Sequence, residues 1–443
     1  MKHVMCMLAV LAIAAGAVAA ERPVLHHEAE IWLNPGEHFV KVEDTVTIPA
    51  EIGILKLSRR CQIEKIGGMD FTIDSVEREA DRWTSPLEPE MLQVKRSVEG
   101  EPCEMYFSYK GYFLESTDDV VFSRENVGRE IRATVGEEGA YLALDGWLPY
   151  SDLAQSTHRL TIHTPIGWEP VTQGERVRHE VDGLELVTVW DAPHPSDGLI
   201  LVANKYHVTE RQLGDVTAYT YFLADEPKLV ETYMERTGAY LAMYGEMIGP
   251  YPYAKFATVE NWFPTGYGMP SWTLLGGTVL RLPFIPTTSF GHEICHNWWG
   301  NSAFVDDTEG NWCEGLTVYC ADYHYKELES DEAAREYRRN LLKDYVAYVR
   351  DGRDMPLSEF RERHSGATRA IGYGKSMMVF HMVDRLIGRA AFLDALREVW
   401  SSHMFAPAAW SDFMDACGRH GDRDLTAFAG QWLAREGAPL LSL

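Results

Sequence analysis

The sequence is short of long apolar runs, of basic residues and of repeats. After residue 20 it has no apolar run near the roughly 20 residues that a membrane-spanning helix needs. Lys and Arg number 41 against 66 Asp and Glu, which gives a formal net charge of −25. No internal repeat or low-complexity linker is visible. The missing apolar runs argue against a membrane-spanning protein. The acidic balance disfavours nucleic acid and anionic membranes as partners.

Residues 1–20 have the pattern of a secretory signal peptide. Lys2 and His3 form a short basic start, residues 4–15 are apolar throughout, and positions 17–19 offer small residues for cleavage. The alternative is a membrane anchor, but the apolar run is shorter than the roughly 20 residues that span a bilayer. We therefore expect an exported protein, periplasmic or secreted, with no stable membrane insertion after cleavage.

The length allows two or three domains, and local patterns divide the remaining chain into two regions. Residues 21–210 carry short alternating runs between Gly, Pro and Asp turns, which predict a β-sandwich or a curved open sheet. Residues 211–443 begin with apolar residues at helical spacing and become strongly helical in their C-terminal half. The strand-like runs are 40–48, 131–135, 160–164 and 184–190, and the helix-like runs are 226–248, 331–350, 373–386 and 390–403. The fold class predicted is multidomain α+β.

One short motif contains candidate metal ligands and a candidate general base. In His292-Glu293-Ile294-Cys295-His296 a helix places the two imidazoles one turn apart on the same face, so both can reach one cation. Glu293 lies beside the first ligand, where it can take a proton from the attacking water without being a ligand. A catalytic zinc needs a third protein ligand, and Glu314, eighteen positions after His296, is the candidate. A bare motif of this kind also occurs by chance on solvated helices, but here bulky apolar residues flank it.

With the flanking stretches 297–301 and 311–315, the motif resembles the gluzincin aminopeptidases of the membrane-alanyl aminopeptidase family. That family's gap between the second His and the ligand Glu is one residue longer. The resemblance implies an N-terminal saddle domain, similar at residues 141–150, followed by a thermolysin-like catalytic domain with one Zn²⁺. Residues 370–376 resemble the segment bearing the family's catalytic Tyr, so Tyr373 is expected to stabilise the oxyanion. The alternative for Tyr373 is a packing role.

The stretch before the motif departs from the family. Its Gly-x-Met-Glu-Asn sequence carries a Glu that binds the substrate's α-amine, and alignment on Met269 puts Pro270 and Ser271 at the Glu and Asn positions. Glu260 is a possible substitute for the missing carboxylate, although a solvated strand residue is the alternative. Gly268 and Met269 are candidate substrate-binding residues because glycine beside a strand allows an extended peptide to approach closely.

The cysteines allow competing interpretations. Cys61 and Cys103 can pair in an exported protein, but sequence does not determine connectivity. Cys295, Cys313 and Cys320 cluster around the proposed metal site. Because two of them stand directly beside ligand residues and point off the ligand face, we interpret all three as small buried residues, or as a disulfide, rather than as metal ligands.

These observations predict an exported zinc metallopeptidase, aminopeptidase-like, in which Glu293 is the general base and Tyr373 supports the oxyanion. Peptides are the expected partners. A zinc endopeptidase is the first alternative, because the amine-anchoring Glu is missing. A zinc-holding peptide-binding protein without turnover is the second, although binding alone requires neither Glu293 nor Tyr373. The sequence leaves the oligomeric state and the side-chain preference open.

Overall fold

The structure, a computed structural model, describes residues 22–437 apart from 69, 77–90, 97–99, 119, 121–130, 144–145 and 351. The predicted signal peptide lies outside the described residues, as does part of the saddle-like segment 141–150. In the described part of the chain, every helix is too short or too polar to cross a membrane.

The first region consists of strands, which confirms the β-rich prediction. The strands are β1 (Val24–Asn34), β2 (Phe39–Ile48), β3 (Ile54–Ser58), β4 (Cys61–Gly67), β5 (Phe71–Val76), β6 (Met91–Arg96), β7 (Cys103–Tyr112), β8 (Ala133–Gly136), β9 (Gly139–Leu142), β10 (Gln155–Pro165), β11 (Glu169–Val171), β12 (Glu175–Asp182), β13 (Glu185–Ser196) and β14 (Leu201–Asn204). The seven-stranded sheet has the order β12-β13-β10-β1-β2-β7-β4, and smaller sheets have the orders β11-β14-β9-β8 and β3-β6-β5. Alternate residues of β1 and β2 are buried, as the alternating sequence predicts.

The suggested Cys61–Cys103 disulfide is wrong. Cys61 and Cys103 are not joined by a disulfide. Cys61 lies opposite Gly111 near the end of β7, whereas Cys103 begins β7 and lies opposite Ile48. At about 3.3 Å per residue, the length of β7 separates the two side chains far beyond disulfide reach.

A second, five-stranded sheet opens the catalytic region. Its strands are β15 (His207–Leu213), β16 (Val216–Phe222), β17 (Lys255–Asn261), β18 (Gly266–Met269) and β19 (Trp272–Gly276). Their order is β15-β16-β17-β19-β18, so β18 is an edge strand. The predicted domain boundary at 210/211 falls inside β15, which pairs with β16 as a hairpin.

Helices follow, close to the predicted runs. They are α1 (Pro227–Met247), α2 (Gly277–Leu280), α3 (Ser289–Cys295), α4 (Cys313–Val318), α5 (His324–Glu329), α6 (Asp331–Tyr348), α7 (Gly366–Arg369), α8 (Ser376–Ile387), α9 (Arg389–Ser402), α10 (Trp410–Gly421) and α11 (Thr426–Trp432). Short strands β20 (Ala303–Val305) and β21 (Ala406–Ala408) pair with each other. Two π-helical segments, Tyr319–Tyr323 and Ala370–Lys375, interrupt the helical runs and were not predicted.

The five-stranded sheet separates two cores. Along β17, Phe256 packs on the helical side with Phe290 and Trp298, whereas Ala257 and Val259 face the core of the β domain. This alternation follows from the two-residue period of a strand. The β domain therefore adjoins the catalytic sheet through a continuous apolar core, and the helices that carry the candidate site lie on the opposite face.

Candidate active site

The predicted motif lies at the end of α3. The backbone N–H of His296 donates to the carbonyl of His292 at 3.3 Å, so one helical turn separates the two residues. Their ring centroids are 4.9 Å apart, with an interplanar angle of 79°. Phe290 and Trp298 are fully buried and anchor the two ends of the turn. The apolar flanks thus hold the histidine face in a fixed position.

Glu314 reaches the same point from the first turn of α4. One of its oxygens, Oε2, lies 3.3 Å from Nε2 of His292 and 3.6 Å from Nε2 of His296. The three potential ligand atoms lie within 4.8 Å of one another, and we call His292, His296 and Glu314 the primary cluster. Among the described residues, this buried oxygen has no hydrogen-bond partner.

A fourth residue, missed from the sequence, orients the first histidine. Nδ1–H of His292 donates to Oδ2 of Asp322 at 2.6 Å, which leaves Nε2 directed at Glu314. Carboxylates in this position fix the tautomer of metal-binding histidines. Asp322 lies in the π-helical segment Tyr319–Tyr323, where regular helical counting fails. Nδ1–H of His296 similarly donates to the carbonyl of Trp299 at 3.1 Å.

The electrostatics of the primary cluster favour a cation. Burial alone would lower the pKa of His292, but Asp322, by its charge and hydrogen bond, and Glu314 raise it to about 10. Burial would raise the pKa of Glu314, but His296 and His292 hold it well below its usual range. The site attracts protons strongly, and a divalent ion can supply the same positive charge. Two imidazoles and a carboxylate with an unpartnered oxygen fit the ligand set of a catalytic zinc.

Glu293 lies against the edge strand of the catalytic sheet. A Cβ atom added to Gly268 would be 2.9 Å from Oε2 of Glu293 and 3.2 Å from Cβ of His296. Only glycine lets β18 approach the helix this closely. Burial raises the pKa of Glu293, which makes it a better proton acceptor. The structure thus places predicted residues Gly268 and Glu293 side by side.

Tyr373 lies in the second π-helical segment and faces the primary cluster. Burial raises the pKa of its phenol well above the usual value, and the negative charge of the nearby Glu314 carboxylate raises it further. The phenol therefore keeps its proton near neutral pH and can act as a hydrogen-bond donor. Gly372 permits the chain to pass the ring of Phe360, which an added Cβ atom would meet at 2.0 Å.

The side chains of the other two predicted substrate-binding residues, Met269 and Glu260, contact other parts of the protein. The side chain of Met269 is buried in the core shared with the β domain, so any contact with a peptide falls to its backbone. The carboxylate of Glu260 accepts hydrogen bonds from Nη1 of Arg281 at 2.5 Å and from the N–H of Leu223 at 2.9 Å. An ammonium group would have to displace Arg281 to bind there.

The three cysteines near the site are buried free thiols. None belongs to the primary cluster. Sγ of Cys313 donates to the carbonyl of Trp299 at 3.2 Å, the carbonyl that also accepts from His296. Their interpretation as small packing residues agrees with these contacts.

A second group of potential ligands lies behind the site, formed by Glu327, His381 and Asp384. A guanidinium nitrogen of Arg389 donates to both oxygens of Glu327, at 2.7 and 2.8 Å, and lies 3.2 Å from Oδ2 of Asp384. We call this group the arginine-filled cluster. Because Arg389 already supplies positive charge to both carboxylates, a metal ion is less favoured here than in the primary cluster.

Comparison with known sequences places this region in a family. Residues 287–432 match the Peptidase family M1 domain. The alanine/arginine aminopeptidase of Saccharomyces cerevisiae is 23% identical over 167 residues, which cover 34% of this chain and 18% of that protein. Aminopeptidase N of Lactobacillus delbrueckii subsp. lactis is 26% identical over 197 residues, which cover 42% and 23%. The chain thus aligns with only about a fifth of the length of these relatives.

Solved structures show the same fold over nearly the whole chain. The M1 zinc metallopeptidase of Deinococcus radiodurans has a TM-score of 0.71 at 15% identity and covers 95% of each chain. A mutant of that protein bound to a Tyr-Ser-Ala substrate has a TM-score of 0.68 at 14% identity, again with 95% coverage of both chains. Leukotriene A4 hydrolase of S. cerevisiae has a TM-score of 0.67 at 15% identity and covers 96% of this chain and 69% of that one.

Proposed function

We propose that this chain, whose residues 287–432 match the Peptidase family M1 domain, is a zinc metallopeptidase that hydrolyses peptide bonds in the manner of an aminopeptidase. The observation that carries the proposal is the convergence of His292, His296 and Glu314 beside Glu293. Hydrolysis requires a carboxylate that lies beside the metal ligands without being one of them, so that it can accept a proton from water. Metal storage requires no such carboxylate.

Each side chain of the site has a separate role in the proposed reaction. His292, His296 and Glu314 would hold one zinc ion, which supplies Lewis-acid polarisation of the scissile carbonyl and lowers the pKa of water. Glu293 takes the proton of the attacking water and later delivers it to the leaving amine. The protonated phenol of Tyr373 donates a hydrogen bond to the developing oxyanion. Asp322 keeps His292 in the tautomer that directs Nε2 inward.

The edge strand β18 offers a surface for the substrate backbone. The N–H of Gly276 donates to the carbonyl of Thr265, and the alternation of an antiparallel ladder then directs the N–H groups of Gly266 and Gly268 away from β19. An extended peptide can add to this edge by main-chain hydrogen bonds. Because Gly268 lies against Glu293, the added peptide would pass the base.

A specific observation favours endopeptidase action as a second candidate. Pro270 occupies the position where the resemblance calls for an amine-binding Glu, and the carboxylate of Glu260 already binds Arg281. A terminal ammonium thus lacks these two anionic partners, whereas an internal peptide bond needs none.

One experiment tests the proposal and separates the candidates. The same peptide is supplied with its N-terminus free or acetylated, at equal protein and measured zinc content, and the fragments are followed by mass spectrometry. Release of single residues from the free form alone supports aminopeptidase action. Internal cuts in both forms support endopeptidase action. Intact peptides in both samples of the zinc-loaded protein would contradict the proposed hydrolysis and favour the binding-protein alternative.

We further propose that the protein is exported after removal of residues 1–20. The apolar run and the small residues at positions 17–19 support this proposal. N-terminal sequencing of the protein purified from its own cells should give a chain that starts near residue 21. A chain that retains Met1 and fractionates with the cytosol would contradict export.

A further inference from the structure

Lys255, at the start of β17, is a buried lysine without an acidic partner. Its side chain is 1% exposed, and among the described residues no carboxylate lies within salt-bridge distance of its amine. Burial, and then the charge of Arg176, hold its pKa well below the usual value. Lysine is almost never fully buried unless it is paired, so its contacts require an explanation.

The amine of Lys255 contacts the turn between β18 and β19. Nζ lies 2.7 Å from Oγ of Ser271, 3.4 Å from the carbonyl oxygen of Ser271 and 5.3 Å from the ring centre of Trp190 in the β domain. The same Oγ accepts a hydrogen bond from the N–H of Gly174, also in the β domain, at 3.2 Å. Ser271 thus joins the turn both to Lys255 and to the neighbouring domain.

The turn itself is conformationally demanding. Pro270 and Ser271 link Met269 to Trp272, and Ser271 has a φ of 72°, a left-handed conformation that favours glycine or asparagine. A serine holds this conformation only where its surroundings impose it. Its hydrogen bonds to Lys255 and Gly174 provide that constraint.

The turn is also tied to the catalytic helix. The N–H of Ser271 donates to Oδ1 of Asn297 at 2.8 Å, and Asn297 directly follows the ligand His296. Two residues before the turn, Gly268 lies against Glu293. Hydrogen bonds therefore run from Lys255 through Ser271 to the end of the motif, and the edge strand lies between these two fixed ends.

We propose that Lys255 is a positioning residue that, through Ser271, holds the β18 edge at the distance from Glu293 at which an extended peptide binds productively. The inference rests on the proposed peptidase function, because it assumes that β18 receives the peptide. Lys255 does not touch the substrate. It limits the positions available to the turn, so its loss should weaken peptide binding more than the chemical step.

The test uses Lys255→Met, Ser271→Ala and the double variant. Each is made in the full chain and also together with Glu293→Gln, so that peptide binding can be measured without turnover. The probe is a hexapeptide with a C-terminal fluorophore, followed by anisotropy. The matched control is Lys205→Met, because Lys205 also lies over a tryptophan ring, that of Trp168 at 5.6 Å, but on the protein surface. Zinc content and Tm are measured for every variant.

We expect Lys255→Met to raise the Kd of the peptide about tenfold, the effect of losing one hydrogen bond that fixes the binding edge. The KM should rise by the same factor, with kcat within about threefold of the parent. Ser271→Ala should also raise the Kd, and the combined effect in the double variant should be smaller than the sum of the two single effects, because both changes remove the contact between Nζ and Oγ. Tm should not fall, since a buried amine is replaced by an apolar side chain. Lys205→Met should bind as the parent does.

Three results would overturn the inference. They are an unchanged Kd in Lys255→Met, effects of the two single changes that add in the double variant, and a fall in Tm with unchanged Kd, which would make Lys255 structural only. If Lys255→Met does not fold, an unchanged Kd in Ser271→Ala overturns the inference instead. A parent chain that fails to bind the peptide also overturns it. A parent that binds but never cleaves would reject the proposed function alone, because the Kd comparison stands without turnover.

Discussion

Two groups of histidine and carboxylate side chains lie in the catalytic region, and each brings its potential ligand atoms within 4.8 Å of one another. In the primary cluster, Oε2 of Glu314 lies 3.3 Å from Nε2 of His292 and 3.6 Å from Nε2 of His296. In the arginine-filled cluster, Arg389 contacts both carboxylates. The two groups are alike in composition and differ in what balances their charge.

The type of ligand residue and the distances between ligand atoms therefore do not define a metal site by themselves. A buried carboxylate needs a positive partner, and either a side chain or an ion can provide it. In the described part of the chain, the ion-pair partners of Glu314 are the imidazoles of His292 and His296, which can bind a metal ion in place of protons. The primary cluster can therefore bind a cation, whereas Arg389 already supplies positive charge to the arginine-filled cluster.

The largest expected effect concerns Glu293, the proposed general base beside the primary cluster. Glu293→Gln should leave zinc binding unchanged and lower kcat by about 10²–10⁴, because the amide cannot accept the proton of the attacking water. Zinc content by mass spectrometry and peptide turnover are measured on the same sample. Glu336→Gln on the exposed face of α6 is the control. Substantial hydrolysis by zinc-loaded Glu293→Gln would remove Glu293 from the base role.

The next effect concerns the phenol that faces the primary cluster. Tyr373→Phe should lower kcat by about 10²–10³ with a smaller change in KM, since the hydrogen bond forms chiefly with the oxyanion. Tyr348→Phe on α6 is a control that keeps the chemical change but lies on the surface. If Tyr373→Phe turns over peptides at the parental rate, the tyrosine serves packing.

A smaller effect on zinc affinity is expected when the aspartate that contacts the primary cluster, but not the aspartate of the arginine-filled cluster, is replaced. Asp322→Asn should weaken zinc binding by about 10–100-fold, because the amide no longer stabilises the orientation and basicity of His292. Asp384→Asn in the arginine-filled cluster should leave zinc affinity unchanged. Competition with a chromophoric chelator measures both. Equal weakening by the two changes would mean that the clusters are not independent.

The features that could be predicted from the sequence are those with a local period. The pairing of His292 with His296 follows from one helical turn, and the strand 40–48 follows from its alternation. Asp322 could not be found in this way, because a π-helical segment shifts the residues that share a face. Its only signal was an acidic residue two turns after Glu314.

Contacts between distant segments could not be predicted either. The sequence gives no sign that Arg281, 21 residues after Glu260, donates a hydrogen bond to its carboxylate. The suggested disulfide failed because strand register, which sequence does not reveal, places Cys61 and Cys103 at opposite ends of β7. Likewise, nothing near Lys255 in the sequence indicates that Ser271 is its partner.

The smallest effect is a pH dependence of stability that arises in the arginine-filled cluster. Burial, and then the charge of Arg338, lower the pKa of His381 from 6.5 to about 4. The unfolded chain therefore takes up this proton more readily, so the cluster loses stability as pH falls below about 6.5, and the loss is complete below about pH 4. His381→Gln should reduce the difference in Tm between pH 7.5 and pH 5 in the zinc-loaded protein. An unchanged difference would contradict the lowered pKa.

If the primary cluster alone holds a metal, the zinc content per chain after dialysis should distinguish His296→Ala from the parent and from His381→Ala. We expect one zinc ion in the parent, none in His296→Ala and one in His381→Ala, provided that circular dichroism shows all three folded. Zinc retained by folded His296→Ala, or lost from folded His381→Ala, would contradict it.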